Sequence, residues 1–289
     1  MFDVCVIGHV TKDIIRTRDH VAREMPGGTA YYTSMALKSL GLDVAVVTKV
    51  AREDQTHLLN ALKSAGIAVF CQESKQTTTF ENIYLGENVD VRIQRVTAIA
   101  SPFSPHDLPH ITSTIYHVGP LTDQDISLEL LQHLARRDTR ISLDVQGLLR
   151  RIKEGEVTER DWQEKETGLG TVDILKADEN EARILSGETD VEKAATKIAD
   201  FGPQETIITC GGRGSLILAE GRVYRVPPVP ARRVVDPTGC GDTFMAGYIY
   251  QRLKSRDIDT AGRFGALMAS MKLAVFGPFK GGEDLNVSA

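Results

Sequence analysis

Asp-Pro-Thr-Gly-Cys-Gly-Asp occupies residues 236–242, and an apolar helical run follows from Thr243 to Leu253. The stretch places two glycines and a carboxylate at the start of a buried helix. Backbone amides at a helix N-terminus lack intrahelical partners and carry partial positive charge, so they attract anions. Glycines at such a position let the backbone approach a phosphate closely. The stretch therefore predicts an anion-binding helix N-terminus.

Asp242 ends this stretch, next to the predicted anion site. A bound phosphate would repel the carboxylate, so simple anion binding does not explain its presence. A general base that takes a proton from an attacking hydroxyl does explain it. The alternative is a helix N-cap, a role for which aspartate is well suited. The first interpretation predicts phosphoryl transfer to an alcohol.

The composition is that of an ordinary soluble globular protein. The 289 residues are enough for a large core, with 42% hydrophobic and 25% charged residues. The net charge of −5 argues against a nucleic-acid surface. No run is long enough to span a membrane, and the N-terminus lacks a signal-peptide pattern. The four cysteines are scattered, as is typical of reduced thiols, so we expect a cytoplasmic protein without nucleic-acid or membrane partners.

Short apolar runs alternate with helical patterns along most of the chain. Val44–Val50 is β-branched and almost wholly apolar, as expected for a strand covered on both faces. Further strands are predicted at 4–8, 67–70, 115–118, 141–145, 172–175, 206–210 and 215–219, and helices at 31–40, 57–65, 128–136, 179–185 and 191–201. This repeated βα pattern predicts a mostly parallel sheet with helices on both faces.

Two stretches, at about 14–26 and 77–100, interrupt this pattern. Two alternating strands joined by a Gly-Glu-Asn turn at 86–88 fit the second stretch. We expect both stretches to form a small β lid inserted in a single domain, 1–289; an extra antiparallel edge of the main sheet is the alternative. A polar segment at 146–171 is expected at the carboxyl edge of the sheet, where open α/β proteins bind ligands, although its charges are more typical of a solvated surface than of a site.

Five motifs along nearly the whole chain resemble those of the ribokinase-like (PfkB) carbohydrate kinases. They are Gly8-His9-Val10-Thr11-Lys12-Asp13, Pro26-Gly27-Gly28-Thr29-Ala30, Ala177-Asp178-Glu179-Asn180-Glu181, Thr209-Cys210-Gly211-Gly212-Arg213-Gly214, and the stretch 236–247 that contains Asp242. One such motif alone is a weak signal, whereas five in family order are a strong one. The resemblance implies a ribokinase-like three-layer sandwich: a mostly parallel central sheet, helices on both faces and a small β lid.

The resemblance also implies roles for the stretch 236–242. Asp242 would be the general base that deprotonates the acceptor hydroxyl. The amides of Gly239, Cys240 and Gly241 would form the anion hole for the transferred phosphoryl group. Asp236 would help to bind a monovalent cation, K⁺, that orders the anion hole. A lowered pKa of the Cys240 thiol at the helix start is a weaker interpretation.

The acceptor side of the predicted site contains Asp13, whose carboxylate suits two neighbouring hydroxyls of a sugar or polyol; a turn aspartate is the alternative. The resemblance implies that Gly27 and Gly28 let the backbone approach the substrate and flex as the lid closes. Many relatives have a substrate-binding asparagine four positions later, where this chain has Tyr32. Tyr32 is expected to contact the substrate, with a core aromatic as the alternative.

The donor side is expected to bind ATP with Mg²⁺. The resemblance places Thr209, Gly211, Gly212 and Gly214 at the nucleotide, although a tight turn explains the glycines equally well.

The segment 177–181 departs from the family's Asn-x-x-Glu element, because Asp178 replaces the asparagine. We expect Asp178 near the nucleotide and Glu181 at Mg²⁺ through water, since this ion keeps much of its hydration. The alternative is an acidic first turn that favours the helix dipole.

These observations predict an ATP-dependent kinase that phosphorylates a hydroxyl of a small sugar or polyol. A nucleoside kinase of the same fold is one alternative, in which Tyr31 or Tyr32 would stack on the base. A weakly active relative that binds a nucleotide or sugar as a regulator is the other. Lids of this kind often pair between subunits, so a homodimer through the lid is expected by analogy.

Overall fold

The computed structural model of the protein describes residues 1–16, 22–83, 93–108, 110–255 and 257–281. Its strands are β1 (Phe2–Ile7), β2 (Thr11–Arg16), β3 (Ala22–Gly27), β4 (Val44–Val50), β5 (Ala68–Glu73), β6 (Thr79–Ile83), β7 (Ile93–Ala98), β8 (Ser113–Val118), β9 (Arg140–Asp144), β10 (Arg150–Lys153), β11 (Glu156–Glu159), β12 (Ile174–Asp178), β13 (Glu205–Thr209), β14 (Ser215–Ala219) and β15 (Arg222–Val226). Its α-helices are α1 (Thr29–Ser39), α2 (Gln55–Ser64), α3 (Leu128–Ala135), α4 (Lys165–Leu169), α5 (Glu179–Ser186), α6 (Val191–Ala199), α7 (Cys240–Lys254) and α8 (Ile258–Leu273). None of these helices could cross a membrane, because each is too short or too polar.

The main sheet has nine strands in the order β15-β14-β13-β12-β9-β8-β1-β4-β5. Neighbours from β5 to β13 pair in parallel, whereas β14 and β15 add an antiparallel edge. Every residue of Val44–Val50 is buried, as its apolar sequence predicts for a strand covered on both faces. The predicted mostly parallel sheet is confirmed.

Helices cover both faces of this sheet, and alternate residues of each strand point into two separate cores. In β1, Val4 and Val6 pack with α1, α2, α7 and α8, whereas Cys5 and Ile7 pack with α3, α5 and α6. This alternation follows from the two-residue period of a strand. The three-layer α/β sandwich predicted for the chain is confirmed.

A second sheet of six strands lies beside the main one in the order β10-β11-β7-β6-β2-β3. It contains strands from both stretches that interrupt the βα pattern, but it begins earlier than predicted, at Thr11. The predicted turn at 86–88 lies outside the described residues. The division into one domain with a lid, and the pairing of lids in a dimer, stay predictions.

The hairpin β10–β11 was not expected, because its short strands are polar and lack an apolar period. Its turn consists of Glu154 and Gly155, both with positive φ, as two-residue hairpin turns require. The hairpin joins the second sheet through the pair Glu156 and Arg95. Part of the polar segment 146–171 therefore extends this sheet.

Candidate active site

A cavity of about 410 Å³ lies where the carboxyl ends of the main-sheet strands meet the second sheet. Most of the residues predicted for the acceptor, the anion hole and the donor line it together. The lining residues are Thr11, Asp13, Gly28, Thr29, Tyr32, Phe80, Gln94, Leu121, Asp144, Gln146, Arg150, Lys176, Asp178, Thr209, Gly211, Pro237, Thr238, Gly239, Gly241 and Asp242. The volume is in the range of small-molecule sites.

Asp242 lies in the first turn of α7 and lines the cavity. The N-cap of this helix is Gly239, so Asp242 does not cap it. The N-cap alternative is therefore wrong, because the helix begins earlier than the apolar run at Thr243 suggested. The Asp242 carboxylate interacts instead with the side chain of Thr29 at the start of α1.

The pKa of Asp242 is raised from 3.8 to about 6. Burial is the main cause, and the negative charge of Asp144 adds to it, while Lys176, the hydrogen bond of Thr29 and Arg150 oppose the shift. A carboxylate with this pKa is ionised at neutral pH and is more basic than an ordinary aspartate. It can accept a proton from a hydroxyl placed in the cavity.

The segment before α7 approaches the cavity closely. Gly239 has a φ of +77°, and a Cβ there would lie 2.3 Å from the ring of Tyr32. Gly239 and Gly241 line the cavity, but the Cys240 amide donates to the Pro237 carbonyl at 3.2 Å. This bond engages Cys240 in the turn, so the predicted anion hole rests on Gly239 and Gly241.

The Cys240 thiol is not activated. Burial raises its pKa to about 11, against the weaker effect of Lys272. The suggestion of a lowered thiol pKa at this helix start is therefore wrong.

Lys176 is a buried cation beside the predicted anion hole. Its ammonium lies 3.0 Å from the Asp144 carboxylate and 3.7 Å from that of Glu181. It would also lie 3.4 Å from a Cβ built on Gly241. Burial alone would lower the pKa of Lys176, but Asp144 and Glu181 outweigh it and raise this pKa, so the side chain is cationic.

Asp178 and Glu181 form a capping box at the start of α5. The Asp178 carboxylate accepts from the Glu181 amide at 2.8 Å, and the Glu181 carboxylate accepts from the Asp178 amide at 2.7 Å. Asp178 also lines the cavity, whereas Glu181 lies behind it and is 6% exposed. Helix capping, a variant of the acidic-turn alternative, thus accounts for part of this motif.

Asp13, on β2, projects into the cavity from the second sheet. The Thr11 hydroxyl donates to its carboxylate at 2.7 Å and fixes its orientation. A Cβ on Gly27 would lie 2.3 Å from this carboxylate, so a larger residue there would displace the Asp13 side chain. Gly28, which precedes α1, lines the cavity as well.

Tyr32 lines the cavity, but it is only 2% exposed. Its ring packs against Gly239 and, edge to face, against Tyr31 at 5.5 Å. Most of the Tyr32 side chain is therefore packed in the core, as the alternative prediction for this residue expects. The residue links the predicted acceptor side of the cavity to the predicted anion hole.

The loop predicted to bind the donor follows β13. Thr209 and Gly211 line the cavity. The Cys210 amide donates to the Gly214 carbonyl at 2.8 Å, which closes the turn into β14. Gly214 is thus part of a tight turn, which is the alternative to nucleotide contact predicted for these glycines, and Gly212 lies in the same turn.

Asp236 does not offer the expected cation site. The Lys272 ammonium donates to the Asp236 carbonyl at 3.0 Å and lies 3.3 Å from its carboxylate. These oxygens are the ligands that a monovalent cation would need, so the residues present do not fit K⁺.

The family model of the pfkB family carbohydrate kinases matches residues 1–280 of this sequence. The chain belongs to this family. It is 27% identical over 283 residues to a cytidine kinase from Thermococcus kodakarensis (strain ATCC BAA-918 / JCM 12380 / KOD1), covering 96% of this chain and 98% of that one.

Solved structures of pyrophosphate-dependent kinases in the ribokinase family are similar to the whole chain. One, a sulfate complex, is 30% identical with a TM-score of 0.88 and covers 98% of this chain and 99% of the other. Another, complexed with a pyrophosphate analog and myo-inositol, is 29% identical with a TM-score of 0.87 and the same coverage. The protein is thus a ribokinase-family kinase.

Magnesium is implied by the family. The described residues contain no group of three or more histidine, cysteine, aspartate or glutamate side chains placed to hold a metal directly. Asp144 and Asp178 line the cavity, and Glu181 lies behind them. These residues fit an ion that is bound directly by donor phosphates and water, and that the carboxylates contact only through those water molecules.

Several cavity residues were not predicted to belong to the site, among them Thr29, Asp144, Arg150 and Lys176. Two carried a local signal, since Asp144 and Lys176 are charged residues with apolar neighbours on both sides in the sequence. Such a residue is costly to bury unless it is paired, which would have indicated an ion pair. Arg150 carried no such signal.

Proposed function

We propose that the protein transfers the terminal phosphoryl group of a polyphosphate donor to a hydroxyl of a small sugar or polyol. The observation that carries the proposal is the Asp242 carboxylate, with its raised pKa, in one cavity with Asp13 and the anion-hole glycines. Asp13 would bind hydroxyls of the acceptor, and Asp242 would accept the proton of the attacking one.

Positive groups around the anion hole would stabilise the transferred phosphoryl group. The amides of Gly239 and Gly241 supply helix-start dipoles, and Lys176 supplies a full charge beside them. Mg²⁺, near Asp144, Asp178 and Glu181, would neutralise donor charge. Phosphoryl transfer depends mostly on such alignment and charge neutralisation.

ATP is the donor that the resemblance implies, and Thr209 and Gly211, which line the cavity, would contact it. Pyrophosphate is a second candidate, favoured by the similarity to the pyrophosphate-dependent kinases. A short donor would need only the basic part of the cavity around Lys176 and Arg150.

A polyol acceptor is supported by the polar side chains Thr11, Asp13 and Gln94 in the acceptor half. A nucleoside acceptor is supported by the similarity to the cytidine kinase. Tyr32 offers little free ring surface for a base, since it is packed against Gly239. The intact Asp242 site argues against a purely regulatory protein.

A donor-by-acceptor matrix tests the proposal. ATP and pyrophosphate are each combined with myo-inositol, ribose and cytidine in the presence of Mg²⁺, and the phosphorylated product is identified by ³¹P NMR. We expect one donor and one polyol or sugar to give product. Turnover of cytidine alone would favour the nucleoside alternative, and absence of product in every combination would favour the regulator.

The pH dependence follows from the pKa of Asp242. The base acts in its ionised form, so kcat/KM is expected to fall tenfold per pH unit below about 6, the pKa of this group. Circular dichroism at each pH shows whether the fold persists. If the acid limb of the profile, the range in which kcat/KM decreases with falling pH, lies only near the ordinary pKa of 3.8, the assignment of Asp242 as the base is contradicted.

Asp13→Ala is expected to lower kcat/KM for the acceptor by about 100-fold or more, because two hydrogen bonds to a charged group are lost. Donor binding, measured by calorimetry, should be unchanged. Asp200→Ala, at an exposed site after α6, is the matched control. Unaltered kinetics of Asp13→Ala with the true acceptor would remove Asp13 from the acceptor site.

A further inference from the structure

Lys272 lies in the last turn of α8 and is fully buried, with 0% exposure. Its ammonium has three oxygen partners: the Asp236 carbonyl at 3.0 Å, the Val275 carbonyl at 3.2 Å and the Asp236 carboxylate at 3.3 Å. An ammonium has three protons to donate, so these partners satisfy it. Burial of a lysine is costly without such partners, which points to a specific role for this charge.

The Asp236 carboxylate connects the ammonium to the turn before α7. Its Oδ1 accepts from the Thr238 amide at 2.9 Å, and its Oδ2 accepts from the Gly277 amide at 3.2 Å. The Val235 amide donates to the Leu273 carbonyl at 2.8 Å, which joins the same segment to the end of α8. The charge of Lys272 therefore holds together the segment before the anion hole and the segment after α8.

The same ammonium also faces the aromatic residue that supports the anion hole. It lies 5.9 Å from the centre of the Tyr32 ring, and this ring packs on Gly239. Lys272 thus reaches the backbone of the anion hole by two routes, through the Asp236 carboxylate and through Tyr32. It does not line the cavity, so its effect on a bound phosphoryl group would pass through these neighbours.

We propose that Lys272 is a positioning residue that takes the place of a bound monovalent cation and orders the anion hole from within the chain. This inference rests on the proposed function for the role of the anion hole. A cation attached to the chain is present at every turnover and pays no association entropy. The enzyme therefore requires no added K⁺.

The first experiment uses the wild-type protein. Turnover and thermal unfolding are measured in KCl and in tetramethylammonium chloride at equal ionic strength, because the second cation is too large for a site of this kind. We expect rates equal within about twofold and the same unfolding temperature, since no ion binds specifically. A rate increase of more than about fivefold in KCl, or a K⁺-specific stabilisation, would overturn the proposal.

The second experiment uses two variants of the same residue. Lys272→Ala leaves the Asp236 and Val275 oxygens facing a space that a small cation can enter, whereas Lys272→Met fills the space without charge. Both are expected to lose about 100-fold in kcat in tetramethylammonium chloride. In Lys272→Ala, KCl or NH₄Cl is expected to increase kcat by about tenfold or more and to raise the unfolding temperature. In Lys272→Met, neither salt is expected to have these effects.

Lys193→Met, at an exposed site on α6, is the matched control and should respond to neither salt. Full activity of Lys272→Ala without K⁺ would overturn the proposal, and so would a loss that neither K⁺ nor NH₄⁺ reverses in rate or stability. If the variants do not fold, the wild-type salt series decides. If the wild-type protein has no kinase activity, the unfolding temperatures still test the cation site separately from the proposed function.

Discussion

Asp242→Asn is expected to lower kcat by about 100- to 10,000-fold, the usual contribution of a general base. Asparagine keeps the shape of the side chain but cannot accept the proton of the acceptor hydroxyl. Because Asp242 would act on that proton, donor affinity measured by calorimetry should be kept or improved, as a negative charge near the phosphates is removed. Product formation is measured with the donor and acceptor identified by ³¹P NMR.

The same variant is expected to be more stable than the wild type. Burial and Asp144 raise the pKa of Asp242 to about 6, so the ionised carboxylate destabilises the folded state above that pH. Since the residue keeps some exposure to solvent at the cavity, which screens its charge, we expect a gain of only about 1–2 kcal/mol in the free energy of unfolding at pH 8. The gain should shrink as the pH falls through 6 towards 3.8, because the wild-type carboxyl becomes protonated.

Asp259→Asn, an exposed substitution on α8, is the control for both measurements. It should leave kcat unchanged, and it should not change how the free energy of unfolding varies between pH 8 and pH values below 6. Normal turnover of Asp242→Asn would refute the base assignment, even if the stability gain is found.

Lys176→Met is expected to lower kcat by about 100- to 1,000-fold, because a preorganised positive charge beside the transferred phosphoryl group is lost. It should also move the acid limb of kcat/KM upward by about one pH unit or more, since Lys176 holds down the pKa of Asp242. Initial rates between pH 5 and 9 give both quantities in one series.

Destabilisation must be separated from this catalytic effect. Removing Lys176 leaves the buried carboxylates of Asp144 and Glu181 without their cation, at a cost of about 3–5 kcal/mol. Arg252→Met is a matched control, since Arg252 pairs with the buried Glu205 at 2.7 Å outside the cavity lining. It should destabilise the fold, although by less because Arg140 still pairs with Glu205 at 2.7 Å, and it should leave the acid limb near pH 6. An unshifted limb in Lys176→Met would show that Lys176 has only a structural role.

The pattern of apolar residues along the sequence predicted most main-sheet strands and the helices between them. This is because a buried strand or helix face requires apolar residues at a regular spacing among neighbouring positions. The pattern missed the hairpin β10–β11 and helix α8. The hairpin is polar, and its two-residue turn at Glu154 and Gly155 was its only local signal. Residues 258–273 were not predicted as a helix, although Asp257 caps its start.

The sequence by itself determined that a buried helix begins near residues 236–242 and that the chain is a three-layer α/β kinase. Only the tertiary structure decided that Asp242 lies in the first turn of this helix and which charged side chains surround that turn. Lys176 and Asp144 are register partners on adjacent parallel strands, and Lys272 meets Asp236 where α8 docks. Apolar periodicity is a property of neighbouring residues, whereas the pairing of buried charges depends on strand register and helix docking between distant segments.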